Sequence, residues 1–188
     1  IAFSSQEWSG MLFERLELGP ARISRARFSY FDGEGEARDA LAYPAGGLTV
    51  DEMPIFVRGF LGAPLDRGES VEVPILPSVK RARLLHRDLE WTRGRLSRSA
   101  EPREVEVPAG RFEVDAWELA LERGETYRYL VETEAPHRLV AWEGPDGASG
   151  RLTGVTRLPY WRLSAEGDER HLEALGLERG AAEVSGGR

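Results

Sequence analysis

The chain has 188 residues, 41% of them apolar, and a formal charge of −7. That is enough apolar material for one core, so disorder is not expected; no apolar run approaches the roughly 18 residues of a membrane span. Cysteine is absent, which excludes disulfides, thiolate nucleophiles and cysteine metal sites, and asparagine is absent, which excludes N-glycosylation. The acidic balance favours solubility and argues against a nucleic-acid partner. Lysine occurs once, at Lys80, among abundant arginines, a bias we read as genomic. The chain begins at Ile1, and no signal or anchor segment is visible.

Short alternating runs separated by glycine turns predict strands along most of the chain. In "MLFERLEL" (Met11 to Leu18), Leu12, Leu16 and Leu18 share a face that Glu14 interrupts. "ARISRARFSYF" (Ala21 to Phe31) follows, then a hairpin signal "DGEG" at Asp32 to Gly35, then the return strand "EARDALAY". "DEMPIFVRGFLG" reads as a helix over 52–61. Its stripe is Met53, Phe56, Val57, Phe60 and Leu61, with Pro54 tolerated in the first turn and Gly62 and Pro64 ending it. Further strands are expected at "SVEVPIL", "ARLLHRDLEW", "RFEVDAWELAL", "TYRYLVET", "HRLVAWE" and "GRLTGVTRL". Turns are expected at Arg93–Gly94, Pro108–Gly110, Arg123–Glu125 and Gly144–Gly147. "GDERHLEALGL" predicts a short C-terminal helix capped by Asp168 and stopped by Gly176. Residues 1–177 are expected to form one domain, and 178–188 a flexible tail.

One run departs from its own period. In "RFEVDAWELAL", Phe112, Val114 and Ala116 alternate with Glu113 and Asp115; then Trp117, Leu119 and Leu121 carry the apolar phase one residue later. A β-bulge at Ala116–Trp117 in a bent strand produces such a slip. So does a strand that crosses from one layer of a sandwich to another. With mostly short connections the strands are expected to pair antiparallel. The fold predicted is mainly β: a strongly curved antiparallel sheet or incomplete β-barrel, with the amphipathic helix on its concave face.

The order of the segments "LDRGESVEVPIL", "REVEVPAGRFEVDAWELAL", "YRYLVETEAPHRLVAWEGPDG" and "GRLTGVTRLPYW" resembles a family of bacterial envelope proteins of undefined function. "VPAGRF" is the most distinctive element, and the resemblance spans roughly residues 20 to 160. It implies an exported, periplasmic or envelope protein and a curved-sheet fold like that of the lipoprotein carriers LolA and LolB. It carries no catalytic motif. The family's residues at Pro108, Gly110 and Phe112 shape a turn and the following face.

The remaining search is for chemistry. His86, His137 and His171 lack metal-ligand spacing, and there is no HExxH, no nucleophile elbow around Ser149 and no phosphate loop. The acidic pairs Glu132/Glu134 and Glu113/Asp115 are expected on the solvated side of strands; a carboxylate-based hydrolase is the weaker alternative. No catalytic residue, metal ligand or cofactor is assigned. Lys80 to Arg98 holds seven basic and two acidic side chains, a local +5 against −12 for the remainder. Arg83, Arg87, Arg93 and Arg95 are expected to flank one hairpin around Gly94 and to face an acidic protein or an anionic surface. Trp91, Trp117, Trp142, Tyr127 and Tyr129 are expected mainly in the core. Tyr160 and Trp161 follow the last strand and suit a protein or membrane interface. Two functions are consistent with this. The first is a non-catalytic envelope domain that binds a protein partner through Arg83, Arg87, Arg93, Arg95, Tyr160 and Trp161, as an accessory subunit of a membrane-associated complex. The second is a carrier holding a lipid or other apolar ligand against Met53, Phe56, Val57, Phe60 and Trp117.

Overall fold

The computed structural model describes residues 1–61 and 65–177; the expected tail at 178–188 lies outside them. Two sheets carry the chain. The first is a four-stranded antiparallel meander of β1 (Ala2–Glu7), β2 (Gly10–Leu18), β3 (Arg22–Ser29) and β4 (Glu36–Ala42). The Asp32–Gly35 segment makes the expected β3–β4 connection, with Gly33 and Gly35 both at positive φ.

The second sheet has eight strands: β5 (Leu48–Thr49), β6 (Ser70–Leu76), β7 (Thr92–Arg98), β8 (Arg103–Val107), β9 (Gly110–Leu121), β10 (Thr126–Glu132), β11 (Leu139–Glu143) and β12 (Ser149–Arg151). Its spatial order is β12-β11-β10-β9-β7-β6-β5, with β8 also on β9. All pairs are antiparallel except the short β5–β6 pair, which is parallel. The sheet is strongly curved and forms a half-barrel, as the sequence predicts, although it is mixed.

A short helix, α1 (Met53–Phe56), lies on the concave side. It follows a single 3-10 turn, Val50–Glu52, whose start is a capping box: Glu52 N–H donates to Thr49 Oγ1, and Thr49 N–H donates to Glu52 Oε2. The regular helix is therefore much shorter than the 52–61 expected. Met53 and Val57 of the predicted stripe still point inward, into a core with Ile75, Leu96, Trp117 and Leu119.

Two predicted elements are corrected. "ARLLHRDLEW" is not a strand. Its first half belongs to a second helix, α2 (Val79–Leu84), which Ser78 caps by accepting from Arg81 N–H. Adjacent Leu84 and Leu85 obscured the period, and Ala, Leu, Lys and Arg are good helix formers. Arg93–Gly94 is not a turn but lies inside β7. A Cβ at Gly94 would sit 3.1 Å from side-chain atoms of both Ile75 and Leu119. Glycine here permits close packing of neighbours. The last predicted strand is reduced to Ser149–Arg151, and the C-terminal helix is of the 3-10 type (Asp168–Leu175), ending at Gly176 with φ 70°. Asp168 does not cap it; its carboxylate accepts from Ala165 N–H instead.

The phase slip in β9 has an unexpected origin. Against β10 the strand is regular, from Val114 opposite Glu132 to Ala120 opposite Thr126. No bulge interrupts β9. The irregularity lies on its other edge, where β7 pairs with residues 117–121 and β8 with residues 110–114. The linking residues 99–102 therefore stand opposite only Asp115 and Ala116. Ser99 closes the gap: its N–H donates to Ala116 O at 2.8 Å, and its Oγ accepts from Ala116 N–H at 3.0 Å. β9 buries opposite faces at its two ends. Phe112 and Val114 pack with Val107 and Val140, while Trp117, Leu119 and Leu121 face the concave core.

Asp115, expected on the solvated side, is buried on the same face as Trp117. Arg98 Nη2 donates to it at 2.7 Å and Arg67 Nε at 2.8 Å, and Arg98 also stacks on the Trp117 ring. Burial pushes the Asp115 carboxyl up, but the hydrogen bonds and charges of Arg98 and Arg67 outweigh it and hold the group below its ordinary value of 3.8. Its stabilising contribution is then present above pH 3.8 and is lost as pH falls through the lower folded value. Asp115→Asn is expected to lower stability at neutral pH by about 2–3 kcal/mol, less than a fully buried pair because Arg67 reaches solvent. Urea titrations of both proteins across acid pH should show the difference shrinking below pH 3.8. A gap that stays constant with pH would contradict this.

Candidate functional site

An open groove of about 580 Å³ lies between the half-barrel and the two helices. Tyr127 and Tyr129 of β10 and Leu139 and Trp142 of β11 face it from the sheet. Tyr127 and Tyr129 share a face because they are two apart in a strand, Trp142 stands opposite Tyr129, and a register shift that passes from Ala141 opposite Leu130 to Leu139 opposite Val131 brings Leu139 to the same side. Val50 and Pro54 close one side, and Leu84 at the end of α2 and the following Leu85 form the other. The two leucines stay half exposed because the groove in front of them is open.

Charged groups gather at the margin. Arg81 of α2 donates from Nε to Glu125 Oε1 at 2.8 Å and from Nη1 to Asp146. Its hydrogen bonds to these two carboxylates, Asp146 first, hold Arg81 even more firmly protonated than usual. The bridge ties α2 to the β9–β10 turn and to the 144–148 loop. Asp51 accepts from Val79 N–H at 2.8 Å and so joins the two helices. Lys80 lies on the same rim and makes no ion pair among the described residues. Gly150 of β12 backs the Trp142 ring, since a Cβ there would lie 2.3 Å from Trp142 Nε1.

The residues expected to meet an apolar ligand divide. Met53, Val57 and Trp117 are fully enclosed and form the core beneath α1; Phe56 packs against that core; Phe60 is 60% exposed, under the Arg58 guanidinium. None of the five lines the groove. The concave face is thus filled near α1 and open toward β10 and β11. The sequence placed the aromatic residues of β10 and β11 in the core. The signal that could have found the groove was the pair Tyr127 and Tyr129, polar-tipped residues repeated on one buried face.

The basic strip is also divided. Arg83 is 1% exposed and cannot face a partner. Its Nε lies 2.6 Å from Glu14 Oε2, its Nη1 3.2 Å from Glu34, and its Nη2 donates to the Arg87 carbonyl. Glu14 is the residue that interrupts the apolar face of β2, and it is completely buried between Leu12 and Leu16. Burial pushes its carboxyl above the ordinary value, against the pull of Arg83, Arg25 and Arg27. Arg87 is exposed beyond α2, while Arg93 and Arg95 project together from β7. The four arginines do not flank a hairpin. Tyr160 and Trp161 are 77% and 69% exposed, in a 3-10 turn, with their rings edge to face at 5.4 Å.

No cluster of histidine and carboxylate groups able to hold a metal ion occurs among the described residues, and none of their helices is long and apolar enough to cross a membrane. No family model, curated protein or solved structure matches the chain.

The wall formed by α2 hangs on the Glu14–Arg83 pair. Arg83→Met, which leaves Glu14 buried alone, is expected to cost about 3–5 kcal/mol. The double variant Glu14→Leu/Arg83→Met removes both desolvated charges and should regain most of that loss. Chemical denaturation of the three proteins checks this; a double variant no better than the single one would contradict it.

Proposed function

We propose that this chain is a non-catalytic binding domain of the cell envelope that holds an elongated apolar ligand, such as an acyl chain, in the groove. The observation that carries the reading is the groove itself. Its size falls in the range of small-molecule sites, its walls are aliphatic and aromatic, and its few charged groups stand at the margin. A half-barrel can leave such an opening because, among the described residues, the regular helix on its concave side is only four residues long. The resemblance of the segment order to an envelope family of undefined function, with the carrier-like fold it implies, supports location and ligand class.

A second reading, contact with a protein partner, is favoured by one observation. Tyr160 and Trp161 present two large rings to solvent, and exposed aromatics of this kind anchor interfaces. The exposed Arg87, Arg93 and Arg95 would then serve an acidic partner or an anionic membrane surface as separate patches, without Arg83. The two readings are compatible: a carrier must receive and deliver its ligand.

The test uses diphenylhexatriene, an apolar fluorescent rod. Its emission should rise on addition of the protein and saturate at one probe per chain, with quenching of Trp142 by energy transfer. Leu84→Glu/Leu85→Glu alters only half-exposed side chains and should fold normally. It should weaken the probe by at least about tenfold, because each leucine withdraws roughly 1 kcal/mol of apolar contact. Gly150→Val, which pushes Trp142 off its backing, should also alter affinity. Probe binding that ignores both variants would overturn the reading.

A further inference from the structure

The groove carries a polar feature that an apolar chain alone does not use. Tyr127 and Tyr129 project from alternate positions of β10 onto its floor, 8% and 4% exposed. Tyr127 Oη is enclosed and has no hydrogen-bond partner among the described residues. Tyr129 Oη makes no hydrogen bond to a described residue either. Buried hydroxyls are ordinarily paired, and an unpaired one costs stability. Tyr127 brings one such enclosed hydroxyl to the apolar concavity, and Tyr129, on the same face of β10, adds a hydroxyl that no described residue engages; together they form a donor site.

The surroundings define what that site accepts. Tyr127 lies within the electrostatic reach of Glu125, Asp51 and Asp146, and of one cation, Arg81. Arg81 is occupied by Glu125 and Asp146, which leaves Asp51, held by the Val79 N–H but paired with no cation among the described residues, near the tyrosines, and Lys80 at the exposed rim. A carboxylate drawn into this position would lose its hydration and meet a field of its own sign. A neutral carbonyl accepts the same hydrogen bonds without that opposition.

We infer that the groove recognises an amphiphile by a neutral ester or amide carbonyl, which accepts hydrogen bonds from Tyr127 and Tyr129 while its alkyl chain lies along Leu84, Leu85, Leu139 and Trp142. The inference rests on the groove being the ligand site, and it selects acylated molecules over free fatty acids and over plain hydrocarbons.

The experiment is displacement of bound diphenylhexatriene by methyl laurate, by laurate as its anion and by dodecane, from the wild type and from Tyr127→Phe/Tyr129→Phe. The double variant keeps both rings and their packing. The wild type should bind methyl laurate about tenfold more tightly than dodecane, the ratio expected of one net hydrogen bond, with laurate no tighter than dodecane. The variant should bind dodecane as the wild type does and lose its preference for the ester. Equal binding of ester and alkane by the wild type overturns the inference, as does tighter binding of laurate. Preference for the ester retained in the variant overturns it too, since hydroxyls satisfied by water would give that result. If diphenylhexatriene binds but none of the three displaces it, the carbonyl site is refuted while the groove stands; if the probe itself fails to bind, the groove reading fails and this inference falls with it.

Discussion

The buried contact between Glu14 and Arg83 is the constraint on which the groove depends. It fastens α2 to the four-stranded sheet from behind, where Val79 and Ala82 pack with Leu16, Ile23 and Leu76. With that side held, the opposite side of α2 can present Leu84 and Leu85 to an open space. An ion pair taken fully out of water contributes little net stability, since desolvation consumes most of the Coulomb gain. The rise in the Glu14 carboxyl shows burial prevailing over three nearby arginines. The pair is better understood as fixing position. It allows one docking of the helix and penalises any other that would leave either charge alone.

A second buried charge cluster does a related job inside the half-barrel. β9 serves two apolar layers on opposite faces, and the change of face falls at Val114 and Asp115. At that point the neighbouring edge contains two more residues than β9 does, and the ladder cannot be continuous. Asp115 gathers Arg98 from the end of β7 and Arg67 from the loop before β6, and Arg98 also donates to the Leu65 carbonyl. The irregular edge is thereby pinned by side chains where backbone pairing stops. Curvature and one-sided filling of the sheet follow. Met53, Val57 and Trp117 occupy one half of the concave face, and the tyrosines of β10 are left bordering the open half.

Much of this was legible in the residues, and the parts that were not share a cause. The phase slip in "RFEVDAWELAL" correctly signalled a strand in a curved sheet, and Glu14 stood out as a charge on an apolar face. In each case the local pattern showed that something was unusual and could not show its partner. The extra residues lie in the link between β7 and β8, so β9 itself needs no bulge. Arg83 looked like one member of a basic strip because six neighbouring residues were basic. Its actual partner is 69 positions away, on β2. Gly94 read as a turn because Arg-Gly commonly is one, yet its role is to admit Ile75 and Leu119 on either side.

By itself the sequence determined the class of the protein: period-two runs with Asp-Gly and Pro-Ala-Gly turns make mostly antiparallel β-structure, and the Met53–Val57 segment must bury its apolar stripe. These are local consequences of backbone geometry and side-chain polarity. Tertiary structure alone decided which apolar side chains became core and which became a surface of the groove. The same residue types, tyrosine, tryptophan and leucine, serve both ends, and only the three-dimensional arrangement of α1, α2 and the 144–148 loop sets whether another element covers them. A half-barrel is closed only where side chains fill its concave face, and here Met53, Val57 and Trp117 fill one part while the groove in front of Tyr129 and Trp142 stays open.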